Sequence, residues 1–150
     1  MCLRIRRYGD VAVSLDFKEE TKRLQAETKP IFAYKVLHQS SKKDPLTSLY
    51  QGTYIWHRSH YNISNRPGVN PTRLTRPEIR NGDINRGLHF LTTREAARQL
   101  IKDRRSSSYV KDGFQIWIVK IQPEDIVHTG LFEGAGSIVA HKAKLVRRVR

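Results

Sequence analysis

Residues Asn85 to Asp103 read NRGLHFLTTREAARQLIKD, and this stretch decides the fold. Gly87 allows a backbone angle or a close approach that a side chain would block. The apolar run Leu88, His89, Phe90 and Leu91 is too short for a helix, which makes it a buried strand. Thr92 followed three residues later by Glu95 has the form of a capping box, each side chain satisfying an orphan amide at the other's position. Beyond it, Ala96, Ala97, Leu100 and Ile101 recur at helical spacing on one face, and Arg94, Arg98 and Lys102 occupy the other. Arg104 and Arg105 fall where cations favour the negative end of the helix dipole, and Ser106 to Ser108 end the helix. A strand handing over to a helix is the local unit on which the rest is built.

Upstream, Val11, Val13 and Leu15 alternate with smaller residues as in a short strand, and Asp16 to Glu27 fits a helix with Phe17 and Leu24 on one side. Ile31 to Leu37 (IFAYKVL) is a stronger strand, apolar apart from Lys35, whose ammonium must reach solvent or an anion. Leu49 to His57 has the composition of a strand, with Gly52 marking a bend. Arg58 to Asp83 carries Pro67, Pro71, Pro77 and several arginines without periodicity. It reads either as a ligand-contacting flap or as a solvated loop. Downstream, Phe114 to Ile121 (FQIWIVKI) is apolar on both faces and predicts an interior strand. Gln122 to Val127 reads as a turn with one helical step, and Gly130, Gly134 and Gly136 bracket Leu131 to Glu133 as a flexible connection. Ser137 to Ala140 and Ala143 to Val149 are strand material. Strands outnumber helices, there is no internal repeat, and the expectation is one α+β domain over 1–150. Its mainly antiparallel or mixed sheet would carry one or two helices packed on it.

Twenty-eight lysines and arginines against fourteen aspartates and glutamates give a formal charge of +14 over 150 residues. That excess exceeds what keeping a protein dispersed requires and points to an anionic partner: nucleotide, nucleic acid or an acidic protein surface. A single cysteine excludes an internal disulfide framework and suits a reducing cytoplasm. No apolar run approaches the roughly 20 residues of a membrane span, and the charged N-terminus lacks the apolar core of a signal peptide.

Candidate chemistry is sparse. His57 and His60 are spaced HxxH without a third ligand of matching type, so no metal site is expected. Cys2 with a freed N-terminal amine would pair a nucleophile with a base, but a strand-like Leu3-Arg4-Ile5 follows it, and an ordinary thiol is expected. The tail KAKLVRRVR alternates cations with apolar residues. It is either a stripe that tracks a phosphate backbone or an edge strand protected by its charge. Aromatic and basic side chains adjoin in TYIWHRSHY (Thr53 to Tyr61), as base stacking requires, although they equally suit a core.

The opening MCLRI, the strand AYKVL, the segment YQGTYIWH, the block INRGLHFLTTREAARQL and the closing FQIWIVKIQPEDIVHTG resemble a group of small phage and bacterial proteins that has no established activity. That resemblance implies a phage or mobile-element origin and, for a phage-encoded chain, residence in the host cytoplasm. A second resemblance is to the ADP-ribosyltransferase fold. There, a His or Arg on a first strand, a Gly-Phe-Tyr-x-Thr strand leading into a helix, and a late glutamate hold NAD. In this chain Lys35 stands at the first position, Gly87 to Thr92 at the second and Glu133 at the third. What it implies is an enzyme with Lys35 on the cofactor phosphate, His89 in the nicotinamide pocket and Glu133 as catalytic acid.

The residues themselves name no cofactor. They support foremost a binding module for a phosphate-bearing ligand (nucleotide, ADP-ribose-like signal or nucleic acid) with a role in phage–host interference. Lys35, Arg86, His89 and Thr92 are expected at the ligand, with Tyr54 or Trp56 as a stacking surface and the N-terminal amides of the capped helix receiving a phosphate. The NAD-dependent enzyme is the alternative. A basic module capping an acidic host protein is the third reading.

Overall fold

The computed structural model describes residues 3–4, 11–49, 55–63, 79–80, 83–84, 87–107 and 109–150. In chain order these form β1 (Leu3–Arg4), α1 (Val11–Gln25), β2 (Ile31–His38), β3 (Leu46–Ser48), β4 (Ile55–Trp56), β5 (Tyr61–Ile63), β6 (Ile79–Arg80) and β7 (Asp83–Ile84). There follow β8 (Leu88–Leu91), α2 (Arg94–Ser107), β9 (Phe114–Ile121), β10 (Ile126–Phe132), β11 (Ala135–Ala140) and β12 (Lys142–Arg148). The strands join one sheet in the order β5-β12-β9-β2-β8-β11-β10-β1-β7-β6, with β3 and β4 attached to β2. Every pair among the described residues is antiparallel. The domain is α+β, as its strand-rich sequence predicts.

The spine is β2 against β9, paired without a break from Ile31↔Ile121 to His38↔Phe114. Alternation along these strands sorts their side chains onto two faces. Ala33, Leu37, Trp117, Val119 and Ile121 join the main core, together with Leu24 of α1, Trp56, Phe90, Ile126 and Ile138. Those residues come from strands far apart in the sheet order, so the sheet curls around its own inner face. The opposite face offers Val36 and Ile116, over which α2 lays Ala97 and Leu100. α1 is fastened to β10 by a buried polar seam: Thr21 Oγ1 accepts from the Thr129 amide (2.9 Å), and Gln25 Nε2 donates to the Ile126 carbonyl (2.8 Å).

Three local expectations change. Val11 to Leu15 is the first turn and a half of α1, not a strand. Val11 and Leu15 are also four residues apart, so a five-residue alternation does not separate the two periods. The helix cap is Thr93, whose Oγ1 accepts from the Ala96 amide (3.2 Å), while Thr92 Oγ1 donates to the Gly136 carbonyl (3.0 Å). Thr92 is thereby held to β11 instead of to the helix. The glycine-rich connection is a tight hairpin: Glu133 and Gly134 sit at φ 50° and 83° between β10 and β11, as a primed two-residue turn demands. Gly130 and Gly136 belong to the strands themselves. Cys2 and most of the segment from Arg58 to Asp83 lie outside the described residues.

Gly87 is the glycine the strand-to-helix unit depends on. It has φ 94°, and a Cβ there would come within 2.6 Å of Val139 Cγ1. Gly87→Ala therefore combines a left-handed backbone with a clash, and chemical denaturation should show a loss of about 1 kcal/mol or more. An unchanged midpoint would mean that neither constraint holds in solution.

Candidate functional site: a basic cleft beside the second helix

The hollow expected at the strand-to-helix junction is closed. All four residues of β8 are buried, and His89 is 4% exposed. Beside it lies a cavity of about 10 Å³, lined by Tyr34, Lys35, Val36, Leu49, His89, Leu91 and Leu100. That volume suits one water at most. Lys35 does approach His89: its Nζ donates to the His89 carbonyl at 2.8 Å and lies 5.3 Å from the Trp56 ring centroid and 5.7 Å from that of Phe90. The residue as a whole is half-buried, but its ammonium end is enclosed by these groups. Burial pulls its pKa down to about 7.

Trp56 belongs to the core as well. It is 3% exposed, its Nε1 donates to Ser48 Oγ (2.7 Å), and its ring meets Phe90 edge to face at 6.1 Å. It is therefore no stacking surface for a ligand. Thr92 is exposed, with its hydroxyl engaged by β11. Tyr54 and Arg86 lie outside the described residues. Glu133 is exposed at the tip of the β10–β11 hairpin. His89 pairs with Val139, four residues along β11 from Ala135, which puts the tip more than roughly 13 Å away at 3.3 Å per residue. Lys35 and His89 are thus brought together, Glu133 is not, and the three line no common cleft. His57 and His60 stand with ring centroids 6.3 Å apart, and among the described residues no group of three metal-ligating side chains forms.

The open cleft is elsewhere. A hollow of about 530 Å³ runs between α2 and the adjoining ends of β9 and β12, lined by Arg94, Arg98, Lys102, Arg105, Arg148 and Arg150. Its floor is Ile101, Phe114, Gln115, Ile116 and Val149. The four cations of α2 are spaced i, i+4, i+8 and i+11, an arc of about 80° at roughly 100° per residue. Ala97 and Leu100 anchor the buried side of the same helix, so packing fixes which way the cations face.

Little within the protein offsets this charge. Among the described residues the ion pairs are those of Arg23 with Glu20 and Glu27, far from the cleft in sequence and placed on α1. Arg94 donates through Nη2 to the Arg150 main-chain oxygen (2.7 Å), and its Nε is buried with no hydrogen-bond partner. Arg105 Nε donates to the Lys111 carbonyl (2.9 Å). Arg94 also occupies the first turn of the helix, where the macrodipole disfavours a cation unless an anion is near. The sequence displayed this stripe, but a helix face rich in arginine usually faces solvent. The distinguishing signal was the absence of acid between Arg94, Arg98, Lys102 and Arg105 on their shared arc.

The buried ammonium yields a pH dependence with a definite sign. An unfolded Lys35 keeps its proton up to its ordinary 10.5, whereas the native one loses it near 7. The unfolded chain holds more protons between those values, so the penalty is full below about pH 7 and is relieved as pH rises toward 10.5. Urea unfolding of the wild type relative to Lys35→Met should show stability gaining roughly 1.4 kcal/mol per pH unit inside that window. Parallel pH profiles for the two proteins would place the ammonium in water.

No family model, curated protein or solved structure matches this chain, so what the cleft holds must be argued from its own residues.

Proposed function

We propose that this protein binds a phosphate-bearing anion in the cleft between α2 and the ends of β9 and β12. The observation that carries the reading is the set of six cations around one hollow of about 530 Å³, none of them in an ion pair among the described residues. Like charges held this close repel one another. An anion entering the cleft removes that repulsion and gains several charge-assisted hydrogen bonds at once. The volume lies within the roughly 300–1,000 Å³ of ligand pockets, and an elongated cation stripe also suits a longer phosphate chain. Arginine predominates, and its planar fork matches phosphate oxygens two at a time.

Support for the NAD-dependent alternative came from Lys35, His89 and Glu133 acting together, and that convergence is missing. The binding reading does not need it. It moves from the strand-to-helix junction to the outer side of the same helix.

The test is fluorescence anisotropy with labelled oligonucleotides and calorimetry with a mononucleotide and ADP-ribose, each begun at low salt. The wild type should bind at least one of them, with affinity falling as salt rises. Arg98→Gln combined with Lys102→Gln removes two exposed charges and should weaken binding about tenfold or more. For an oligonucleotide it should also flatten the salt dependence by roughly one to two ions. Binding that ignores the double substitution, or no binding at low salt, overturns the reading.

A further inference from the structure

Beyond the part covered by α2, the same outer face continues across β2, β9, β12 and β5, and among the described residues no element packs over it. The register sets a row straight across these four strands: Phe32 opposite Lys120, Lys120 opposite Lys144, and Lys144 opposite Tyr61. Side chains directly opposite in neighbouring strands stand on one face. The row therefore reads aromatic, cation, cation, aromatic over three strand spacings, roughly 14 Å. Phe32 is 58% exposed and Tyr61 39%, an unusual amount of ring surface to leave in water. Lys142 and Lys144 reach toward Tyr61, with their Nζ atoms 4.4 and 6.0 Å from its ring centroid. Asp125, in the turn that follows β9, is close enough to Lys142 for the two to act on each other electrostatically. Lys120 and Lys144 form no ion pair among the described residues.

The row is continuous with the cleft. Phe32, Tyr34 and Val36 share a face of β2, and Ile116, Ile118 and Lys120 share the matching face of β9, with Val36 and Ile116 lying under α2. On β12 the register shifts between Leu145 and Arg147, so three residues of β12 span two of β9. Lys144 stands opposite Lys120, and Arg147 opposite Ile118. Without that bulge Arg147 would turn to the inner face; with it, Arg147 stands on the outer face and Arg148, opposite Trp117, on the other.

Resting on the phosphate-binding reading of the cleft, we propose that the ligand is single-stranded nucleic acid. The open face supplies its base-binding half, Phe32 and Tyr61 stack bases, Lys120 and Lys144 pair with the intervening phosphates, and the strand's backbone continues into the arginines beside α2. Charge alone would fit any polyanion. Exposed rings flanking cations on a shared row are what distinguishes a ligand with both phosphates and flat apolar groups. In a duplex the bases are stacked inside and cannot reach such rings.

The experiment compares dT12 with an abasic dodecamer of equal length and charge, by anisotropy at fixed salt, on the wild type and three variants. The wild type should prefer dT12 by tenfold or more. Phe32→Ala and Tyr61→Ala, each at an exposed position, should erode that preference several-fold apiece while leaving the abasic strand bound as before. Arg98→Gln with Lys102→Gln should weaken both probes alike. If both probes bind equally well to the wild type, the base-stacking face is wrong and the cleft reading stands. If neither binds, both fail. A blunt duplex bound more tightly than dT12 overturns the single-strand assignment, as does poly-glutamate whose binding falls as far as that of dT12 when Tyr61 is replaced, since that marks an acidic protein as the partner.

Discussion

The eight-residue pairing of β2 with β9 is the constraint from which the rest follows. Two strands in unbroken register must send alternate side chains to opposite faces, and both sequences carry apolar residues on both faces. The inner set closes the main core as the sheet curls around it. The outer set needs a cover of its own, and α2 provides one over Val36 and Ile116. α2 is one rod on a wider surface, however, and its cover ends before Phe32 and Lys120. Among the described residues, an open strip of sheet beside a cation-bearing helix is thus a geometric result of α2 lying on that side.

Charge placement follows the same division. Lys35 is the cation of β2 that points inward, and it loses the strong preference for its charged form once the rings of Trp56 and Phe90 enclose it. Its hydrogen bond to the His89 carbonyl satisfies one polar group across the core, a structural service that leaves no room for a ligand. The cations on the outer side stand where water reaches them. A positive potential therefore builds on one side of the sheet while the inner face stays nearly neutral. Exposed ion pairs contribute little to stability, so the protein forgoes little by leaving these arginines without ion pairs among the described residues.

Much of this architecture was legible in the residues. FQIWIVKI and IFAYKVL gave the spine because apolar β-formers on both faces have few alternatives, and the α2 amphipathicity survived intact. The cap slipped by one residue because Thr92 and Thr93 are both capable caps, and only the packing of Gly136 against Thr92 decides between them: a Cβ at Gly136 would lie 2.6 Å from Thr92 Oγ1. The expected hollow at the junction is closed for a different reason. A lone lysine in an apolar strand and a histidine beside a turn look like chemistry in one dimension, and burial is a three-dimensional property. The basic tail divides between its two readings: β5 covers β12 at Lys142 to Lys144, while Arg147 and Arg148 pair among the described strands with β9 alone and still fit a charged edge.

The bulge in β12 carries that last point further. A regular strand with this sequence would put Lys142, Lys144, Val146 and Arg148 on one face and Ala143, Leu145 and Arg147 on the other. Arg147 would then follow Ala143 and Leu145 onto the inner face. Inserting one residue after Leu145 keeps both apolar side chains inside, turns Arg147 out and sets Arg148 opposite Trp117, where the strand end leaves it exposed, at the cost of a local break in the ladder. Core packing alone explains why the bulge is tolerated. It does not explain why an arginine occupies position 147, since an apolar residue there would have allowed a regular strand. The ladder is broken where the outer face passes from the open row toward the cleft, and the shift puts one arginine on each side of the strand end: Arg147 opposite Ile118, and Arg148, which lines the cleft, opposite Trp117.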